Sequence, residues 1–318
     1  MSEVITAIPV FNGERYLCAT LESLAAQGRR PDRVVVIDDC STDGTRELVR
    51  GCDSIRCELV RNETNLGLFL NLNRALEYAA EAEYFHLLLA DDCVRPNFIE
   101  CLVDSLAAAA APSLAYCAYD WIDADGQVTR RAGGNGRFVA SEISRRDFLS
   151  RQSALKTVSV GSVVIRSGHQ TLPVKFRSDM PHVADCVFYA ELAASAHQIL
   201  AFREALCEIR RHSENATSRN AKNLNAWVAD EWRAMRCISN LIRESNWRRC
   251  IRGHYQQCLF AARSRVKQQW TRADDPHFAC QIGVIVEHET SWHHRFLAAG
   301  AVLLRDLVKG KNLPTDPR

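Results

Sequence analysis

The sequence predicts an α/β fold, a mostly parallel sheet flanked by helices with a Rossmann-like first half, followed by a helical C-terminal extension. Three observations carry this. Over the first 120 residues, short apolar runs alternate with segments of helical period. Two of those runs end in paired acids, Asp38-Asp39 and Asp91-Asp92. Beyond residue 220 strand signals stop, and apolar residues recur at helical spacing through tryptophan-rich stretches.

The elements follow in order. Val4 to Val10 is an apolar run closing at Pro9 and the turn pair Asn12-Gly13. Tyr16, Leu17, Thr20, Leu21 and Leu24 then share one helical face through Gln27. Arg33 to Ile37 reads VVVI after the arginine, β-branched without alternation, as in a strand covered on both faces. After Asp38-Asp39, Ser41 and Thr42 are expected to cap a helix running to about Arg50. A third strand at Cys57 to Arg61 leads to Asn65-Leu66-Gly67, and Leu68 to Glu81 reads as a helix. Tyr84 to Leu89 is a fourth strand ending at Ala90-Asp91-Asp92, with Pro96 opening the next helix. Such a βαβα order implies right-handed crossovers, so the acids lie beyond strand ends, where open sheets bind ligands.

From Ala115 to about Arg211 the pattern loosens. Strands are expected at Ser113 to Trp121 and Val158 to Ile165, a turn at Asp125-Gly126, and a glycine loop at Gly133, Gly134 and Gly136. Pro181 to Ala194 reads as a helix carrying Val183, Val187, Phe188 and Leu192. Further on, Leu224, Trp227, Val228, Met235, Ile238, Leu241 and Ile242 make one amphipathic face. The expected division is therefore residues 1–219 (1–120 and 121–219), a helical region over 220–309, and a tail at 310–318 without fixed structure.

Composition narrows the function classes. With 47% hydrophobic and 25% charged residues, the chain is neither disordered nor collagenous nor a coiled coil. Forty basic against 38 acidic residues argue against a general polyanion binder. Lys222 to Arg272 is locally basic, eleven residues against three, but carries no nucleic-acid motif, so no nucleic-acid partner is expected. Thirteen cysteines without a CxxC pair fit free thiols in a reducing compartment. No signal peptide and no spanning segment is read, so a cytoplasmic protein is expected. The helices beyond Asn220 hold five of the six tryptophans and are a candidate peripheral surface on the inner face of the membrane; the commoner reading of such a stripe is core packing.

Paired carboxylates repel unless something positive joins them. A hard divalent cation bridging a phosphate answers that need, and helix-capping acids are the bland alternative. The stretch IPVFNGERYLCATLESLAAQ, followed by VVVIDDCSTDGT, NLGL and LLLADDCVRP, resembles the nucleotide-binding half of family 2 glycosyltransferases. These are inverting enzymes of the GT-A type that use nucleotide-diphospho-sugars. The likeness runs from Val4 to about Ser218, and the order and spacing of four motifs carry it.

The resemblance implies that Pro9, Val10 and Phe11 line the base and ribose. It has Asp39 accept a hydrogen bond from a uracil-type base with Asp38 beside it, and Asn65 and Gly67 shape the loop near the ribose. Asn73 matches a helix position the family often fills with asparagine. Asp91 and Asp92 would hold ribose and metal, with Asp92 touching Mn2+ or Mg2+. Two departures stand out: Leu89 occupies the first place of the family's acidic metal motif, and Asn71-Leu72-Asn73 replaces a common Ala-Arg-Asn run.

On the acceptor side, Val160-Gly161-Ser162-Val163-Val164 resembles the strand before the acceptor helix, where a small residue leaves room for a sugar. HVADCVFYAELA resembles the segment carrying the catalytic base, which makes Asp185 that base, with Ala184 in place of the usual glutamate. Arg210-Arg211-His212 resembles a basic motif near the diphosphate, with Arg210 or Arg211 offsetting its charge and His212 ligating metal or hydrogen-bonding phosphate. The activity implied is sugar transfer from a UDP- or dTDP-type donor to a hydroxyl of a glycan or lipid-linked acceptor, in cell-surface polysaccharide or glycoconjugate synthesis. The rival is a catalytically weak or inactive nucleotide-sugar-binding scaffold, which Leu89 and the missing arginine would fit.

Overall fold

The structure, a computed structural model, describes residues 3–132, 139–156, 158–212 and 223–308. The glycine loop at 133–136, the boundary near Arg219 and the tail at 310–318 lie outside the described residues. Two compact units emerge. The first holds residues 1–148, 157–178 and 185–212; the second holds 149–156, 179–184 and 213–318.

The first unit is built on one sheet. Its first four strands are β1 (Val4–Val10), β2 (Arg33–Asp38), β3 (Cys57–Arg61) and β4 (Tyr84–Leu87). They are followed by β5 (Cys93–Val94), β6 (Ser113–Ile122), β7 (Val128–Arg130), β8 (Ser141–Glu142), β9 (Val163–Arg166) and β10 (Ile199–Arg210). The order is β3-β2-β1-β4-β9-β6-β10-β5, with β7 on β6 and β8 on β10. Strands β1 to β4 run parallel to their neighbours within that group, and β10 runs parallel to β6. β9 is antiparallel to both β4 and β6, so it reverses once between two parallel sets. Every residue of β1 is buried, as is all of β2 but Arg33, which agrees with apolar runs lacking alternation.

Helices α1 (Leu17–Ala25), α2 (Thr45–Arg50), α3 (Leu68–Ala75), α4 (Phe98–Ser105), α5 (Arg145–Ser153) and α6 (Ala184–Ser195) accompany the strands. The α1 face is the expected one: Leu17, Thr20, Leu21 and Leu24 are buried and join Val4, Ile8 and Val36 in a core with Phe98 and Leu102 of α4. Several expectations need correction. Thr42 does not cap α2, which begins at Thr45; the Ser41 hydroxyl instead accepts the Asn12 amide, and Asn12 accepts from Thr42. The helix expected to Glu81 stops at Ala75 and tightens into a 3-10 turn over Leu76–Ala80. The strand expected from Val158 begins only at Val163, after a 3-10 turn at Val160–Ser162. Strand β10, twelve residues long and paired with β6, β5 and β8, has no counterpart in the sequence reading.

The second unit contains α7 (Asp230–Leu241), α8 (Asn246–Thr271), α9 (Pro276–Glu289) and α10 (Trp292–Val308), with a π-helical turn at Asn225–Ala229. α8 packs against α9 and α10. Trp227, Val228, Trp232, Met235, Phe260, Ile282 and Val286 form its core. Glu231 is buried there, 2.8 Å from Arg263 and 3.0 Å from Lys267. Burial alone would raise the Glu231 pKa, but the two cations outweigh it and hold it at about 2. The tryptophan stripe is therefore divided: Trp227 and Trp232 are core, whereas Trp247 and Trp292 are 61% and 71% exposed. Among the described residues no helix is long and apolar enough to cross a membrane.

Candidate functional site

Parallel pairing places the carboxyl ends of β2, β1 and β4 along one sheet edge, with Val10 opposite Asp38. β2, which ends at Asp38, and β4, which leads to Asp91-Asp92, flank β1 on either side, so the two strands lie about 10 Å apart across the sheet. Pro9 and Val10 are buried beneath that edge, while Phe11 stands 51% exposed above it.

The first acidic pair organises backbone. Asp39 is 1% exposed; its Oδ1 accepts from Asn62 Nδ2 and Leu66 N, both at 2.7 Å, and its Oδ2 from Gly67 N at 2.8 Å. It shapes the loop that Asn65 and Gly67 belong to, and Asn65 Oδ1 accepts from Gly67 N as well. Gly67 has φ +80°, a backbone region that glycine enters without steric cost. Asp38 accepts from Ser41 N, and its Oδ2 lies 3.9 Å from Arg61. Behind them Asn71, 4% exposed, accepts from Asn62 Nδ2 at 3.0 Å and donates to the carbonyl of Ile37 at 3.2 Å. Asn73 pairs in both directions with the backbone of Phe176. Its side chain fastens α3 to the segment before α6.

The second pair splits by depth. Asp91 is partly accessible, and its Oδ2 lies 3.1 Å from His212 Nε2. Asp92 is 1% exposed; its Oδ1 accepts from Arg210 N at 2.9 Å, and its Oδ2 has no hydrogen-bond partner among the described residues. Burial, with the Asp91 charge beside it, pushes the Asp92 carboxyl well above the usual range. Thr20 of α1 clamps this turn by donating to the carbonyls of Ala90 and Asp92. Arg210 is turned inward: Nε donates to Asp91 O and Nη1 to Asp123 O, each at 2.9 Å. Its guanidinium holds the acidic turn through backbone, and its cation lies over the Tyr16 ring at 4.9 Å. His212 also packs on Tyr16, with ring centroids 4.8 Å apart.

The acceptor-side residues connect to the acids through Val160 and Gly161. A Cβ on Gly161 would lie 2.9 Å from Leu88 Cδ1 and 3.8 Å from Asp92 Oδ2. A side chain there would press on the tip of Leu88, so the backbone at Gly161 runs close against Leu88 and the buried Asp92. The Gly161 carbonyl accepts from Nε2 of His86, whose Nδ1 faces the Thr6 hydroxyl. Burial lowers the His86 pKa to about 4, so this ring is a neutral strut between β1, β4 and the 3-10 turn. The Val160 carbonyl accepts from Tyr189 OH at 3.0 Å, one helical turn after Asp185 on α6. Phe188 stacks on Phe176 at 4.1 Å. Asp185 sits in the first turn of α6, where its Oδ1 accepts the Cys186 amide at 2.7 Å and burial pushes its carboxyl up to about 6.

Sequence reading missed Tyr16, Thr20, Asn62 and Asn71 as parts of this site. Tyr16 and Thr20 were counted only as a helix's apolar face. A buried asparagine inside a helix, as Asn71 is, was the one available signal, since such an amide needs tertiary partners.

A donor set of carboxylate oxygens and one imidazole nitrogen, with an unpartnered buried carboxylate oxygen behind it, fits a divalent cation of the Mg2+ or Mn2+ type. The fold defines an α/β protein of the GT-A type. More narrowly, the family described as Glycosyl transferase family 2 matches residues 6–166, and the chain belongs to that family.

Relatives include the glycosyltransferase GlyG of Streptococcus pneumoniae serotype 4, 26% identical over 159 residues, 48% of this chain and 51% of GlyG. A Bacillus subtilis strain 168 glycosyltransferase named for teichuronic acid biosynthesis, TuaG, is 24% identical over 241 residues, 73% of this chain and 87% of TuaG. The chain thus spans about half of the first relative and most of the second. Among solved structures, Staphylococcus aureus TarS 1–349 in complex with UDP-GlcNAc superposes with TM-score 0.59 at 19% identity. That match covers 81% of this chain and 70% of the other.

Proposed function

We propose that the chain is an inverting glycosyltransferase that moves a sugar from a UDP- or dTDP-type nucleotide-diphospho-sugar to a hydroxyl of a glycan or lipid-linked acceptor. Surface polysaccharide synthesis is the setting its relatives' names suggest: TuaG, and the succinoglycan biosynthesis protein ExoO of Rhizobium meliloti. The observation that carries the proposal is the Asp91–His212 pair at 3.1 Å, on the same sheet edge as the Asp39-braced loop.

In this reading Phe11 presents an exposed ring to the nucleoside, and Asp39 acts by holding Leu66 and Gly67 in place beneath it. Asp91 and His212 hold the cation, with Asp92 behind them as the deeper carboxylate. When bound, that cation supplies Lewis-acid neutralisation of the departing diphosphate. Arg210 positions the acidic turn from behind, because its donors are directed to protein carbonyls. Asp185, held near 6 by burial, has the basicity suited to taking the acceptor hydroxyl's proton near neutral pH. Attack by that hydroxyl on the anomeric carbon, from the face opposite the leaving diphosphate, inverts the configuration.

Calorimetric titration with UDP-sugars and dTDP-sugars, with and without Mn2+, tests the donor. Binding is expected to tighten at least about tenfold with Mn2+ in the wild type, and Asp91→Asn and His212→Gln are each expected to remove that gain. Mn2+-dependent binding that survives in both variants would move the cation elsewhere.

A further inference from the structure

We propose a second metal site, unrelated to the sheet edge, in which His254 of α8 and His293 and His294 of α10 bind a borderline transition-metal dication of the zinc type and cross-link the two helices. One ligand nitrogen from each ring lies within 4.8 Å of the other two. His254 Nδ1 and His294 Nε2 are 2.8 Å apart, and the rings of His293 and His294 have centroids 3.9 Å apart. Tetrahedral zinc with nitrogens at ~2.1 Å requires them ~3.4 Å from one another, so the observed spacings bracket the need and modest ring rotations meet it.

His293 and His294 lie in the first turn of α10, and His254 faces them from α8. Ser291 Oγ contacts Nδ1 of His294 and lies 3.2 Å from Nε2 of His293. By accepting the Nδ1–H of His294 it leaves the Nε2 lone pair directed at His254, the outer hydrogen bond that metal-bound histidines commonly make. Among the described residues no carboxylate belongs to the cluster, which sets it apart from the oxygen-rich edge of the first unit. Three neutral imidazoles select zinc, copper, nickel or cobalt over magnesium, and leave a fourth position to water. His254 and His293 are exposed, so an ion can reach them.

The test is zinc binding by the whole chain, measured by competition with a chromophoric chelator in an Asp91→Asn/His212→Gln background that disables the other candidate site. That background is expected to keep one tightly bound zinc. His254→Gln and His293→Gln, at exposed positions that leave the helical circular dichroism unchanged, are each expected to weaken it at least about tenfold. Ser291→Ala is expected to weaken it by about 10–100-fold, as loss of an outer hydrogen bond does. Cobalt loading should produce the intense visible bands of a tetrahedral ion. Zinc affinity unchanged by both histidine substitutions, or only the weak spectrum of octahedral cobalt, would overturn the proposal.

Discussion

Replacing Asp185 by asparagine should stabilise the protein and disable it in the same stroke. The carboxylate is half-buried in the first turn of α6, and burial lifts its pKa from 3.8 to about 6, against the opposing pull of the Cys186 amide. That rise corresponds to about 3 kcal/mol by which ionising Asp185 strains the native state at alkaline pH. The sign follows from proton affinity. The folded chain binds this proton more tightly than the unfolded one. The contribution is therefore fully present below pH 4, and it is lost as pH rises through about 6. Asparagine has no charge to desolvate, and its amide oxygen can still accept the Cys186 N–H. Urea denaturation at pH 8 should show the variant more stable by up to about 3 kcal/mol, and at pH 4 nearly equal to the wild type. Turnover should fall by about 10²–10⁴-fold, with donor affinity retained, as for loss of a general base. A stability difference of the same size at both pH values would refute the burial argument. Undiminished turnover would take Asp185 out of the chemistry.

Two further predictions rest on buried polar groups. Asn71→Ala removes the amide that joins Asn62 to the Ile37 carbonyl, and should cost about 1–3 kcal/mol in urea denaturation through the groups left unsatisfied. Glu231→Gln should destabilise the helical unit at pH 7 by about 3–5 kcal/mol, because it leaves buried Lys267 without its carboxylate. Here the sign is opposite to that of Asp185. The Glu231 pKa falls from 4.5 to about 2, so its stabilisation is present above 4.5 and disappears as pH drops through 2. The gap between variant and wild type, followed by circular dichroism on acidification, should close over that window. A gap that persists to pH 2 would separate the effect from the ion pair.

How far each part could be read from sequence depends on the range of the interaction involved. Strands β1 to β4 were legible because a parallel strand covered on both faces writes its burial into a continuous apolar run, as VVVI does in β2. The paired acids were legible because they follow directly on those runs. Strand β10 was not, since Ile199–Arg210 mixes Arg203, Glu204 and Glu208 among apolar residues and owes its place to β6 and β5 on either side. Its register shifts against β6 further blur any period of two.

Sequence alone determined the class of fold, the family, and the sheet edge on which the acids gather, because each follows from local pattern and chain order. Tertiary structure alone decided what surrounds each acid. Asp91 and Asp92 are neighbours of identical chemistry, yet one meets His212 while the other is buried against the backbone of Arg210, a residue 118 positions away. The same holds for Arg210, whose charge reads as a phosphate ligand in sequence and serves protein carbonyls in the fold. It holds too for His254, His293 and His294, scattered over 40 residues and brought together by the packing of α8 on α10. A side chain's chemistry is local, but its dielectric surroundings and partners are supplied by segments distant in the chain, and those fix its protonation and its reach.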